Sequence, residues 1–165
     1  MATMAAMTSL PSLGPRGEGW VLLQGVMLVI VAAAGWSLGP DWSGALRYLG
    51  IFLGIMGLAG GILLVVRGML DLGRAMTPLP RPRAGAGLVT TGVYEHARHP
   101  VYGGLILGSL GWSVLQASAI AVVATGVLAV LLYLKSAREE AWLSERYPDY
   151  PMYRRRTRRF IPWVG

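Results

Sequence analysis

Apolar residues in this chain come in unbroken runs rather than at amphipathic spacing, and the charges gather at the ends of those runs. Residues 20–39 carry no charge and are long enough to cross the roughly 30 Å hydrocarbon core of a bilayer as a helix. Trp20 and Trp36 lie near the ends of this run, where indoles settle at the membrane interface. A short turn is predicted at Gly39-Pro40-Asp41-Trp42-Ser43-Gly44. A second span follows over 45–66, with Arg47 near one end and Arg67 just past the other. Its Gly50, Gly54, Gly57, Gly60 and Gly61 include small-xxx-small spacings that let helices approach closely, so helix contact is their predicted role.

The third run, 101–134, is uncharged for 34 residues, whereas one span uses about 20. A single helix would put the arginine-rich loop before it and the arginine-rich tail after it on opposite sides of the membrane. A hairpin turning near Gln116-Ala117-Ser118 puts both on one side. Fourteen of the fifteen Lys and Arg residues then share that side, Arg47 being the exception, as the positive-inside rule asks. The predicted spans are therefore 20–39, 45–66, 100–115 and 118–135, with the last helix continuing past Lys135 into the cytosol. The expected fold class is all-α: a polytopic helical membrane protein with four transmembrane helices, the last two a hairpin, and both termini cytosolic. Residues 1–19 are expected to be a flexible tail and 20–165 a single domain. Cytosolic segments 73–99 and 136–165 would carry its chemistry. The first of these includes Pro78-Leu79-Pro80-Arg81-Pro82, which resists helix.

Composition supports the membrane reading, with 54% hydrophobic residues, 14% charged residues and a mean hydropathy of +0.51. The absence of cysteine excludes disulfides and thiolate chemistry. The two histidines, His96 and His99, are too few for a histidine-built metal site, and no metal is expected. A net charge of +7 could suggest nucleic acid, but the basic residues flank apolar runs, which favours anionic lipid headgroups as partners.

Two separated segments carry candidate chemistry. The first is Gly92-Val93-Tyr94 followed by Arg98-His99-Pro100-Val101-Tyr102-Gly103-Gly104. Pro100 reads as the first residue of a helix, where its missing N–H costs nothing. Tyr102 and Gly103 then lie one turn on, close to His99, and a helix start bearing Arg98 and His99 attracts an anion. The second is Glu139-Glu140-Ala141-Trp142-Leu143, followed by Arg146, Tyr147, Tyr150, Tyr153 and Arg159-Phe160-Ile161-Pro162. Alone, each has a plain structural reading: a helix start at the headgroup level, and a solvated helix whose glutamates pair with Lys135.

Read together, the two segments resemble the signature of a family of membrane methyltransferases, the isoprenylcysteine carboxyl methyltransferases and related phospholipid methyltransferases. The resemblance covers roughly residues 45–163. It implies S-adenosylmethionine bound at the cytosolic face, S-adenosylhomocysteine as product, and a lipophilic or lipidated acceptor entering sideways from the bilayer. Carried over by position, Gly92, Val93, Tyr94, Arg98, His99, Pro100, Tyr102 and Gly103 match the cofactor-binding motif, with Glu139 and Glu140 at its acidic end. Arg146, Glu140 and Tyr153 match the catalytic side. Arg146 shares a helical face with Glu139, and an arginine there would orient an acceptor carboxylate. An isoprenylcysteine-type carboxylate, a phospholipid amine and a small apolar thiol are all acceptors consistent with the motifs. Two rival readings exist. A sterol-type reductase using NADPH has a similar His-Pro-x-Tyr element, but normally many more spans than 165 residues can hold. A non-enzymatic membrane assembly protein would bind no cofactor at all.

Overall fold

The computed structural model describes residues 10–38, 43–81, 85 and 87–161. The expected turn at 39–42, Pro82, Arg83, Pro162, Trp163 and the first nine residues of the tail lie outside them. Among the described residues all regular structure is helical: α1 Glu18–Leu38, α2 Gly44–Leu72, α3 Pro100–Leu115, α4 Ala119–Arg146 and α5 Tyr150–Arg156. Two 3₁₀ turns, Gly73–Ala75 and Gly92–Glu95, punctuate the long connection between α2 and α3.

Three stretches are long and apolar enough to cross a membrane, Glu18–Trp36, Gly44–Ala75 and Ala119–Arg146. They are apolar on nearly every side, and large side chains such as Leu22, Val29, Phe52, Leu63, Val123 and Val130 stand exposed on the bundle. A helix hydrophobic all round needs an apolar surrounding, and the chain is a membrane protein. The fourth apolar helix, α3, has 16 residues, or about 24 Å of helix, and packs along α2. α2 runs six residues past Val66 because nothing in Arg67–Leu72 breaks a helix. It ends at Gly73, whose φ of +49° turns the chain away. α3 gives way to α4 over Gln116, Ala117 and Ser118; Ser118 then caps α4 by accepting from the Ala121 N–H at 3.2 Å.

Glycine sets the α2–α3 distance. A methyl group on Gly61 would run into the Gly108 backbone, and one on Gly54 would come within 2.8 Å of Leu115 Cα. From the other side, a methyl on Gly104 would sit 2.7 Å from the Gly61 carbonyl oxygen. Gly60 faces only the tip of Leu107 at 3.5 Å and takes no part in this approach. The helices alternate in direction. At one end of the bundle Gln116 and Ser118 donate to the carbonyls of Gly35 and Ala34. The other end gathers the start of α1, the end of α2, the start of α3 and the polar part of α4. There Arg81 bonds back to Arg16 and Pro15, and the C-terminal segment crosses the start of α3. The candidate site lies at that end.

Candidate active site

The polar end of α4 is built around Glu140, which is 1% exposed. Its carboxylate accepts from Arg98 Nε at 2.9 Å, lies 3.2 Å from His99 Nε2, and pairs with Arg159 at 3.2 Å and Arg154 at 3.4 Å. These partners come from three parts of the chain, so one buried carboxylate ties the start of α3 to α4 and the C-terminal segment. Burial pushes this carboxyl up, but the His99 contact and the charges of His99, Arg159 and Arg98 outweigh it and hold the pKa down at about 2. Arg98 also donates to the carbonyls of Arg154, at 3.0 Å, and of Thr157. Backbone pairing completes the clasp: the N–H groups of Arg98 and His99 donate to the carbonyls of Arg158 and Arg159, each at 2.8 Å.

Beside this clasp lies a cavity of about 320 Å³. Tyr94, Arg98, His99, Tyr102, Glu139, Tyr147, Tyr150 and Tyr153 form its polar wall, and Val65, Met69, Leu88, Val89, Val101, Leu105 and Leu143 are among its apolar lining. Tyr102 donates to Glu139 Oε2 at 2.9 Å, and its ring stacks on His99 with centroids 5.4 Å apart. His99 Nδ1 is 3.7 Å from the same carboxylate. Burial pushes the Glu139 carboxyl up, against the pull of His99, the Tyr102 hydrogen bond and Lys135. Tyr153 donates to the Tyr94 carbonyl at 2.6 Å, and burial lifts its phenol to about 12, so it stays protonated as a donor. The Tyr150 hydroxyl is buried on the cavity wall and, among the described residues, has no hydrogen-bond partner. A buried hydroxyl without a partner, on a residue that lines a cavity, is a polar group still open to a hydrogen bond.

Of the residues matched to cofactor binding or catalysis, Tyr94, Arg98, His99, Tyr102, Glu139 and Tyr153 line this cavity and the others do not; Val101, Leu143, Tyr147 and Tyr150 of the same two segments line it too. Glu140 does not face it; Arg98, Arg154, Arg159 and His99 already occupy its carboxylate. Gly92 has φ +64°, and any side chain there would collide with Asp71, whose carboxylate accepts from the Val93 N–H at 2.8 Å. Gly92 and Val93 thus make a joint with α2 rather than a ligand contact. Pro100 is buried at the start of α3. Gly103 is bare because the Phe160 carbonyl presses against it. The anion-attracting helix start is covered in part by the carbonyls of Arg158 and Arg159. Arg146 shares the general face of Glu139 but, unlike Tyr147 beside it, is not among the residues that line the cavity. It is exposed at the end of α4 with its guanidinium 5.5 Å from the Tyr147 ring centre.

One participant was not read from sequence. Asp71 anchors the 92–95 turn, and its only sequence signal was the i, i+4 spacing to Arg67, which it meets at 3.5 Å. Tyr150 and Lys135 were named in the sequence, one within the second segment and the other as a partner of the glutamates, but not as lining a cavity.

A second, almost wholly apolar groove runs between α1, α2 and α3 and shares Val65 and Leu105 with the cavity. The site thus joins an acid and several phenols to an apolar path along the helices.

The phospholipid methyltransferase family model matches residues 49–150, which contain nearly all of this wall. The chain is also 40% identical over 77 residues to the cobalt-zinc-cadmium resistance protein CzcN of Cupriavidus metallidurans. That match takes in 46% of this chain and 35% of the relative, so it spans about a third of the relative's length. With the family's matched region coinciding with the helices that build the cavity, the chain belongs to the phospholipid methyltransferase family.

Proposed function

We propose that the chain is an S-adenosylmethionine-dependent methyltransferase working at the cytosolic face of the membrane on a lipophilic acceptor. The observation that carries this reading is the cavity, where Glu139, Tyr102, Arg98 and Tyr150 belong to a polar wall that faces aliphatic side chains such as Val65, Met69, Leu88 and Leu105. A volume of about 320 Å³ lies within the range of small-molecule sites. The donor set also suits the cofactor's mixed charge. Glu139 would hold its cationic groups, the Arg98 and Tyr150 side its carboxylate, and the aliphatic wall beside Tyr94 its adenine.

S-Adenosylmethionine supplies a methyl group on a sulfonium, which an aligned nucleophile takes by in-line displacement. The work left to the chain is to position the acceptor and keep water out. Val65, Leu105 and their neighbours exclude water. The phenols of Tyr94 and Tyr153 are kept neutral by burial, so they can donate hydrogen bonds without adding negative charge. The groove that shares Val65 and Leu105 with the cavity supports an acceptor with a long apolar tail, such as an isoprenylcysteine-type carboxylate or a phospholipid.

For the membrane, we propose four crossings with α3 and α4 as a hairpin and both termini cytosolic. The cavity end then carries the arginine-rich loop and tail on the cytosolic side. The rival reductase reading would need NADPH. A thermal unfolding series in neutral detergent tests the reading: S-adenosylhomocysteine raises the midpoint and NADPH leaves it unchanged. The reverse pattern would replace the methyltransferase by a reductase. Tritiated methyl transfer into prenylcysteine analogues and total lipid then identifies the acceptor class.

A further inference from the structure

Lys135 is the only lysine in the chain; the other fourteen basic side chains are arginine. It is 1% exposed and lines the cavity. Its ammonium donates to Gln24 Oε1 at 2.6 Å and to the Pro78 carbonyl at 3.3 Å, and sits 4.9 Å from the Tyr102 ring centre. Among the described residues no carboxylate pairs with it. Glu139, one turn along α4, is instead bonded by Tyr102 and approached by His99. A buried cation held by neutral acceptors and the face of a ring is poorly compensated. One of its three N–H donors is also left over.

The other cations of this wall differ in kind. Arg98 and His99 both rest on Glu140, so their charge is already balanced. Among the described residues Lys135 is the cavity's cation with no carboxylate in ion-pair contact, Glu139 attracting it only from a longer range. The lysine carries a compact point charge on a flexible stem, where an arginine would bring a wider fork.

We propose that Lys135 recognises the anionic group, carboxylate or phosphate, of the methyl acceptor. The inference rests on the methyltransferase reading of the same cavity. It assigns Lys135 to the acceptor and leaves Glu139 to the cofactor. Gln24 and Pro78 hold the ammonium between turnovers, and the acceptor's anion completes its shell. The chain thereby prefers lipophilic acceptors with a negative charge near the methylated atom.

A single lysine allows a direct test on the unaltered protein. With selective ¹³C-lysine labelling, in neutral detergent and saturating S-adenosylhomocysteine, decanoate or decyl phosphate should move the Lys135 Cε resonance saturably. Decanol should not. A stronger response to decanoate indicates a carboxylate acceptor, and one to decyl phosphate a phospholipid. K135Q should bind the anionic probe at least tenfold more weakly, with decanol and S-adenosylhomocysteine affinities within twofold of wild type, and K135R should recover part of the loss. Equal responses to decanol and the anions would overturn the proposal. So would K135Q losing S-adenosylhomocysteine affinity in parallel, since Lys135 would then serve the cofactor. If K135Q does not fold, the labelled wild-type titration decides alone. Failure of wild type to bind S-adenosylhomocysteine would overturn the underlying methyltransferase reading, and the proposal with it.

Discussion

Glu139 and Glu140 are neighbours in sequence with opposite fates. One helical step of 100° turns Glu139 toward the cavity and Glu140 into a nest of cations. Removing the Glu140 charge strands buried guanidinium groups, a loss of about 3–5 kcal/mol when one partner of a buried pair is deleted. E140Q should therefore lower the unfolding midpoint markedly. The pH dependence follows from the direction of the shift. Because the folded pKa is depressed, the Glu140 contribution is fully present above the ordinary value of 4.5 and is lost as pH falls toward about 2. The gap between wild type and E140Q, measured by thermal unfolding in detergent, should close over that window. A constant gap would mean that the carboxylate is not what ties the clasp.

At the same scale, the sequence showed which residues meet in space better than what each one touches there. Arg98, His99, Tyr102 and Glu139 were legible because their types and spacing matched a known pattern, and they meet in space. Gly103 and Gly92 belong to that pattern too, yet their bareness makes room for the Phe160 carbonyl and the Asp71 carboxylate. Sequence shows that a side chain is missing but not what fills the gap. Arg146 stands apart from the cavity lining although Tyr147 beside it belongs to it: helical periodicity gives the face of a residue but not where its side chain goes at a helix end.

Among the helices, the tight seam is α2 against α3. G61A would force its methyl into the Gly108 backbone, and overpacking of this kind costs about 1–3 kcal/mol. G60A has only an ordinary 3.5 Å contact with Leu107. It should be neutral or stabilise by up to about 1 kcal/mol through helix propensity. Unfolding of the two variants side by side checks this, and equal losses would contradict the seam. The small-xxx-small spacing predicted a close approach from sequence. It did not distinguish Gly61 from Gly60, because adjacent residues point 100° apart and only the partner helix chooses between them.

Across the whole molecule, the four apolar helices alternate in direction, and the site gathers at the end that holds the arginine-rich segments. The hairpin was legible from charge alone, since only a turn near residue 117 brings the two halves of the site together. Reporters fused after Leu13, within the 74–81 segment and after Gly165 should all report cytosolic, and one placed within 39–44 the opposite side. A C-terminus on the far side would separate the tail from the loop it clasps and contradict the proposed topology.

The central claim is that the cavity beside the Glu140 clasp holds S-adenosylmethionine, with Glu139 as its acid. Calorimetric titration of S-adenosylhomocysteine into wild type and E139Q tests it most directly. Wild type should bind one equivalent. E139Q should fold normally yet bind about 1–3 kcal/mol more weakly, the loss of one charge-assisted hydrogen bond. Wild-type binding should itself weaken as pH falls through the raised pKa of Glu139, because the protonated acid no longer attracts a cation. Undiminished binding by E139Q, or no binding by wild type, would contradict the claim.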